Sequence, residues 1–185
     1  MNRLEQIAKQ IQGNSQPPVD KWIENWTGKR TLETHGEIDI RIDNQGHWFH
    51  EGEPIGRDKL VCLFASILWC ENDKYYLVTP AEKLQINVED VPYLVHQMEH
   101  VDGAWVAVTN THEQVIISES NPVGLRLYKG QLIPYVNVRY DLWARVNRSI
   151  YYQWAELAID EQNFEDAPLE LQSNGYRFEV AKVAN

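Results

Sequence analysis

Leu4, Ile7, Ala8 and Ile11 recur at helical spacing, so the apolar pattern predicts a short amphipathic helix over residues 3–12. Gly13 ends it, and N-S-Q-P-P reads as a linker. Trp22, Ile23 and Trp26 fall on one helical face, which predicts a second short helix or turn across Asp20 to Trp26. The period then changes to two. Ile38, Ile40 and Ile42 alternate with Asp39 and Arg41, the pattern of a half-buried strand, and Asp43 to Gly46 turns the chain onto a return strand through Trp48 and His50. Leu60, Phe64, Ile67 and Leu68 restore helical spacing and predict a helix over 58–70. Strands follow at Tyr75–Val78 and Leu84–Val88.

Beyond Pro92 the strongest signals are turns. Asp102-Gly103 separates two apolar runs, Tyr93–Val101 and Ala104–Thr109. Asn174-Gly175 does the same for Leu169–Leu171 and Tyr176–Val183. Val115–Ser118, Leu125–Leu127 and Leu132–Val138 read as strands. The four-residue spacing of Leu142, Val146, Ile150 and Trp154 predicts a helix over 141–158.

The order of these elements suggests a repeat. I-D-I-R-I, a glycine turn, a return strand, Arg57 and a helix opening at Leu60 are answered by V-G-L-R-L, a glycine turn, a return strand, Arg139 and a helix opening at Leu142. Arg41 and Arg126 take matching places in this pattern, as do Arg57 and Arg139. The expected class is therefore α+β, with two similar β-hairpin/helix/strand halves packed together. The expected organisation is an N-terminal helical extension over 1–34, a first repeat over 35–90 and a second over 91–185.

Composition narrows the function. Hydrophobic residues make up 43% of 185, with 7 Trp and 9 Tyr, enough for a real core. No apolar run reaches the ~18 residues a bilayer span needs, so a membrane is not an expected partner. The N-terminus is charged and amphipathic, without the apolar stretch of a secretory signal, and Cys62 and Cys70 make a poor disulfide framework. A cytoplasmic location is expected. The net charge of −10 argues against duplex nucleic acid, while leaving room for a local basic pocket.

Three stretches carry a resemblance: W-F-H-E-G-E-P-I-G-R at Trp48 to Arg57, L-V-T-P-A-E-K at Leu77 to Lys83, and V-E-D-V-P at Val88 to Pro92. Together they resemble a bacterial family of cytoplasmic proteins known as a domain of unknown function. The resemblance covers approximately Ile38 to Val183. It implies a duplicated α+β fold, a C-terminal half superficially similar to pleckstrin-homology-like folds, and a nucleotide-like ligand with a signalling role at the groove between the halves.

Read from their own chemistry, Thr79, Pro80 and Glu82 fit N-cap, N1 and N3 of a helical turn. Lys83 is not needed for capping. It either holds a phosphate or pairs with Glu82, Glu89 or Asp90. Asp90 either sets the turn before Pro92 or orients a ligand hydroxyl. Arg57 and Arg139 suit bidentate binding of an anion, against internal pairing with Glu51 or Asp58 and with Asp141. Trp48 offers an apolar wall. These five residues form the expected ligand site, for a small anionic and nucleotide-like molecule.

No catalytic residue, metal or cofactor is assigned. H-Q-M-E-H at His96 to His100 matches an inverted zinc-peptidase pattern, but in a strand its histidines lie roughly 13 Å apart, too far for one ion. Phosphate-loop, dinucleotide-fold, nucleophile-elbow and C-x-x-C patterns are absent. Two alternatives stay open: a metal-dependent hydrolase using Glu82 or Asp90, and a protein-interaction module without a small-molecule pocket.

Overall fold

The structure is a computed structural model that describes residues 3–12, 36–161 and 168–182. The helix expected over Asp20–Trp26 lies outside them. The chain divides into two compact units, Met1–Pro92 and Tyr93–Asn185.

The first unit opens with helix α1 (Arg3–Gln12). Strands β1 (Glu37–Ile42), β2 (Trp48–His50) and β3 (Glu53–Pro54) follow, then helix α2 (Asp58–Ser66), then β4 (Leu68–Glu71), β5 (Lys74–Val78) and β6 (Lys83–Val88). Ile38, Ile40 and Ile42 all point into the core, as their alternation requires. Trp48 packs on Phe64 of α2 with ring centroids 6.4 Å apart. Leu4 and Ile7 bury the apolar stripe of α1, which packs against α2.

The second unit runs β7 (Tyr93–Val101), β8 (Ala104–Thr109), β9 (Gln114–Ile116), β10 (Val123–Tyr128), β11 (Gln131–Arg139) and β12 (Leu142–Val146). Helix α3 (Arg148–Glu161) and the hairpin β13 (Leu169–Ser173) and β14 (Tyr176–Ala181) complete it. Ile150, Trp154 and Ala158 form the buried stripe of α3, where Trp154 meets Trp105 edge-on at 6.0 Å and Phe178 at 5.2 Å.

Each unit builds one six-stranded sheet, ordered β3-β2-β1-β6-β5-β4 in the first and β10-β11-β12-β7-β8-β9 in the second. Read from its other end, the second sheet has the order of the first: third, second, first, sixth, fifth, fourth. Each is two antiparallel three-stranded meanders, joined through a parallel pairing of the unit's first and last sheet strands, β1 with β6 and β7 with β12. The fold is α+β and duplicated.

The repeat has a different register from the one its local order suggests. The sheets match β1 with β7 and β4 with β10, so the I-D-I-R-I strand corresponds to Tyr93–Val101 and not to V-G-L-R-L. Helix α2 lies between the third and fourth strands of its unit, whereas α3 follows the sixth. Arg57 precedes the fourth strand and Arg139 ends the fifth. They do not occupy equivalent places, and neither do Arg41 and Arg126.

Two predicted helices shorten. The span 58–70 becomes α2 followed by β4, so Leu68 and Cys70 are strand residues. The span 141–158 becomes β12 followed by α3. The turn signals act as their chemistry dictates. Asp102-Gly103 and Asn174-Gly175 both take left-handed backbone at each residue, the conformation of a primed two-residue hairpin.

Candidate functional site

Lys83 opens β6 and is 6% exposed. Its ammonium donates to Glu71 on β4 and lies 4.2 Å from the centroid of the Tyr76 ring. It forms an internal ion pair, with a partner other than the three neighbours expected. Glu82 instead accepts from Arg3 at 2.5 Å, and Glu89 holds Arg41 at 2.6 Å and the amide of Asn44 at 3.1 Å.

Thr79 does the capping chemistry read from T-P-A-E, since its hydroxyl accepts from the amides of Ala81 at 3.2 Å and Glu82 at 3.1 Å. It does so in the β5–β6 hairpin loop rather than in a helical turn. Asp90 is half-buried in the bend after β6. Trp48 is 2% exposed and belongs to the core, so it walls no open cleft.

Arg57 is exposed at the start of α2, where its backbone carbonyl accepts from Leu60 and Val61. Its side chain makes no capping bond, and among the described residues it pairs with neither Glu51 nor Asp58. Arg139 is half-buried. It donates to the Glu113 carboxylate and, at 2.9 Å, to the Tyr93 hydroxyl. Asp141, its expected partner, accepts from the Trp143 indole at 2.9 Å.

Burial drives the Tyr93 phenol far above its ordinary pKa, against the nearby Arg139 charge. Burial works to lower the Arg139 guanidinium, but the Tyr93 oxygen and the Glu113 carboxylate outweigh it and hold it above its usual value. Lys83 and Arg139 thus each neutralise an internal carboxylate. Among the described residues, no three His, Cys, Asp or Glu side chains come together to hold a metal.

A different set of cations is gathered on one face of the second sheet. Gly124 pairs with Tyr135, and Tyr135 in turn with Arg145; Arg126 pairs with Ile133, Tyr128 with Gln131, and Asn137 with Trp143. Residues directly opposite one another share a face, and the face repeats every second residue. Arg126, Tyr128, Tyr135, Trp143 and Arg145 therefore all project the same way.

Diagonal contacts join the rows. The Arg126 guanidinium carbon lies 4.0 Å from the Trp143 ring centroid and 5.6 Å from that of Tyr135. The Arg145 carbon lies 4.0 Å from the centre of the Tyr128 ring, and the Lys129 ammonium 5.2 Å from it. Trp143 reaches across β11, so a Cβ at Gly124 would lie 3.7 Å from its ring. Each stacked cation gains about 0.5–2 kcal/mol from the ring quadrupole.

Partial burial without a carboxylate partner separates Arg126 from the paired arginines and from the exposed, unpaired Arg57, Arg148 and Arg177. Arg3, Arg41, Lys83 and Arg139 each meet a glutamate. Arg126 and Lys129 form no ion pair with any described residue. Arg126 is half-buried, and stacking occupies the faces of a guanidinium while leaving its N–H edge free to donate. Local order hid this cluster. The alternation of V-G-L-R-L puts Arg126 and Tyr128 on one face, but only the strand register brings Trp143 and Arg145 beside them.

The fold and this face define an α+β protein of two duplicated six-stranded units, the second carrying an arginine–aromatic surface. Residues 17–91 match the model for the N-terminal domain of DUF1285, a domain of unknown function, and residues 92–180 match its C-terminal domain. The chain belongs to the DUF1285 family. It is similar to the crystal structure of a DUF1285 family protein from Silicibacter pomeroyi DSS-3, with a TM-score of 0.81 and 32% identity, covering 99% of this chain and 97% of that one. A second similar structure, a DUF1285 family protein from Shewanella baltica OS155, has a TM-score of 0.53 and 27% identity over 68% of this chain and 94% of that one. No curated protein matches the chain.

Proposed function

We propose that this chain is a ligand-binding module and that its second unit takes a small anionic molecule on the arginine–aromatic face of β10, β11 and β12. One observation carries the reading: Arg126 lies against Trp143 and Tyr135 with no carboxylate partner among the described residues, in a chain with net charge −10. A half-buried guanidinium without a carboxylate partner is a place that an anion would fill, through charge-assisted and bidentate hydrogen bonds. Lys129 adds charge beside it. The partly exposed Trp143 and Tyr128 rings suit a ligand with a planar part joined to its anionic group, which is the chemistry of a nucleotide-like molecule, and binding of that kind would serve a signalling role. Of the residues first proposed from the sequence, Arg57 remains an accessible cation. Arg139 and Lys83 contribute little net field, because Glu113 and Glu71 offset them.

The test is calorimetric titration with pyrophosphate, a nucleoside monophosphate and a nucleoside diphosphate, repeated at rising salt. The expected result is binding that weakens with salt and falls by about tenfold or more, which is about 1.4 kcal/mol, in both Arg126→Ala and Arg126→Lys. Arg139→Ala is expected to lower the melting temperature, with anion affinity changed far less. A wild-type protein that binds none of the three anions, or an Arg126→Ala protein that binds them equally well, overturns the reading.

A further inference from the structure

Every open sheet has two edges, and exposed edges are usually blunted by shortness, proline or charge. In the first sheet they are β3, two residues long and ending in Pro54, and β4, four residues long. In the second they are β9, three residues long, and β10, six residues long. Strand β10 is the longest of the four. It also carries Leu127, at 72% exposure the most exposed large apolar side chain among the described residues. Its cross-strand partner Leu132 is 39% exposed on the same face.

The hydrogen-bond parity of β10 can be read directly. The Asn137 amide donates to the Pro122 carbonyl at 2.9 Å, so the even positions 122, 124, 126 and 128 face β11. The Val123 amide instead donates outward to the Tyr176 hydroxyl at 3.3 Å. Pro134, opposite Leu125, fits this parity because no donor to β10 is wanted there. The N–H and C=O groups of Leu125 and Leu127 therefore point away from the sheet, and they have no partner among the described residues. That is a template for up to four hydrogen bonds to an added strand.

We infer that the β10 edge docks an extended acidic segment of a protein partner by strand addition. Side chains of an added strand would alternate between the two faces of β10. On one face they would meet Leu125, Leu127 and Leu132, which favours apolar residues. On the other they would meet Arg126 and Lys129, which favours carboxylates. The occupant is thus a stretch in which apolar and acidic residues alternate. A second copy of β10 fits less well, since it would bring a second Arg126 and Lys129 to the same ladder, and like charges there oppose pairing. The inference takes the unneutralised charge of Arg126 from the anion-binding reading; the edge geometry is independent of it.

Leu125→Pro isolates the edge. It deletes one outward N–H, and the ladder to β11 loses nothing, because position 125 does not donate to β11. Fluorescence anisotropy would follow a labelled synthetic peptide alternating valine and glutamate, against the same peptide with lysine in place of glutamate, with the full chain. The glutamate peptide is expected to bind and the lysine peptide to bind at least about tenfold more weakly. Leu125→Pro should weaken the glutamate peptide by a similar factor, with pyrophosphate binding unchanged, whereas Arg126→Ala should weaken both. If Leu125→Pro loses its cooperative melt, the surface variant Leu127→Asp carries the same expectation. The inference falls if neither peptide binds, if both variants bind the glutamate peptide as the wild type does, or if sedimentation shows a wild-type dimer that Leu125→Pro dissolves. Pyrophosphate binding without peptide binding would leave the anion-binding reading standing and this one refuted.

Discussion

Tyr93 shows how a residue expected at a binding site, Arg139, can be claimed by the core instead. The Tyr93 ring is fully buried on β7, and its hydroxyl sits between Arg139 and Glu113. A neutral phenol satisfies this place; a phenolate would put a second negative charge beside Glu113. Because burial raises the Tyr93 pKa in the folded chain, the unfolded chain releases that proton first, near 10. Stability contributed by this group is complete below that pH and is lost as pH rises above it. Alkaline titration followed by tyrosine absorbance should show Tyr93 ionising only as the protein unfolds. Tyr93→Phe removes the hydroxyl that Arg139 donates to while leaving the Arg139–Glu113 pair, with an expected cost of about 1–3 kcal/mol in chemical denaturation. Asp43 carries the opposite sign. Burial raises its carboxyl, but the amides of His47 and Gln45 and the His47 ring more than offset this, holding it below the ordinary aspartate value. Its contribution is present above the unfolded value of about 3.9 and disappears as pH falls through the folded one. Asp43→Asn should therefore show a flatter loss of melting temperature between about pH 5 and pH 2 than the wild type.

At the scale of elements, two-residue turns were the most legible feature and helix ends the least. Asp102-Gly103 and Asn174-Gly175 fixed three of the four strand ends that flank them, because their left-handed geometry admits few residue pairs, while β13, expected to stop at Leu171, runs on to Ser173. The run from Leu142 to Trp154 misled for a geometric reason. A spacing of four is close to one helical turn and is also two strand periods, so Leu142 and Val146 share a face in either state. The signal that separates them is Asn147, whose side chain accepts from the amide of Ile150 at 2.9 Å and caps the true start of α3. Side chains also fasten elements that no local pattern connects. Ser173, fully buried at the end of β13, donates to the Ile117 carbonyl at 2.7 Å and accepts from the Trp105 amide at 2.9 Å, tying the hairpin to β8 and the segment after β9. Ser173→Ala leaves both backbone groups unsatisfied in the core. The expected loss is about 1–3 kcal/mol, read as a lower urea midpoint with an unchanged slope.

At the scale of the whole molecule, the repeat was legible as a repeat but its register was not. Matching hairpin-then-helix order paired Arg57 with Arg139, whereas the sheets pair first strand with first strand. What defines each unit is the parallel contact between its first and sixth sheet strands, such as Tyr93 beside Ala144 and Val95 beside Val146. That contact spans nearly the full sheet-forming sequence, and no local periodicity announces it. It has a kinetic and an energetic consequence. The central pair forms only once both meanders exist, so loop closure must come before the reward, and each unit should fold slowly for its size. Once formed, β7 and β12 have neighbours on both sides and buried residues such as Tyr93, Val95, Ala144 and Val146, while β9 and β10 have one neighbour each. Amide exchange should then be slowest at β7 and β12, opening only with global unfolding of the unit, and fastest at β9 and the outward positions of β10. The first unit repeats the logic, with β1 and β6 protected and β3 open. Equal protection at β10 and β12 would mean that the edge is already covered, and would count against strand addition there as well as against this picture of the sheet.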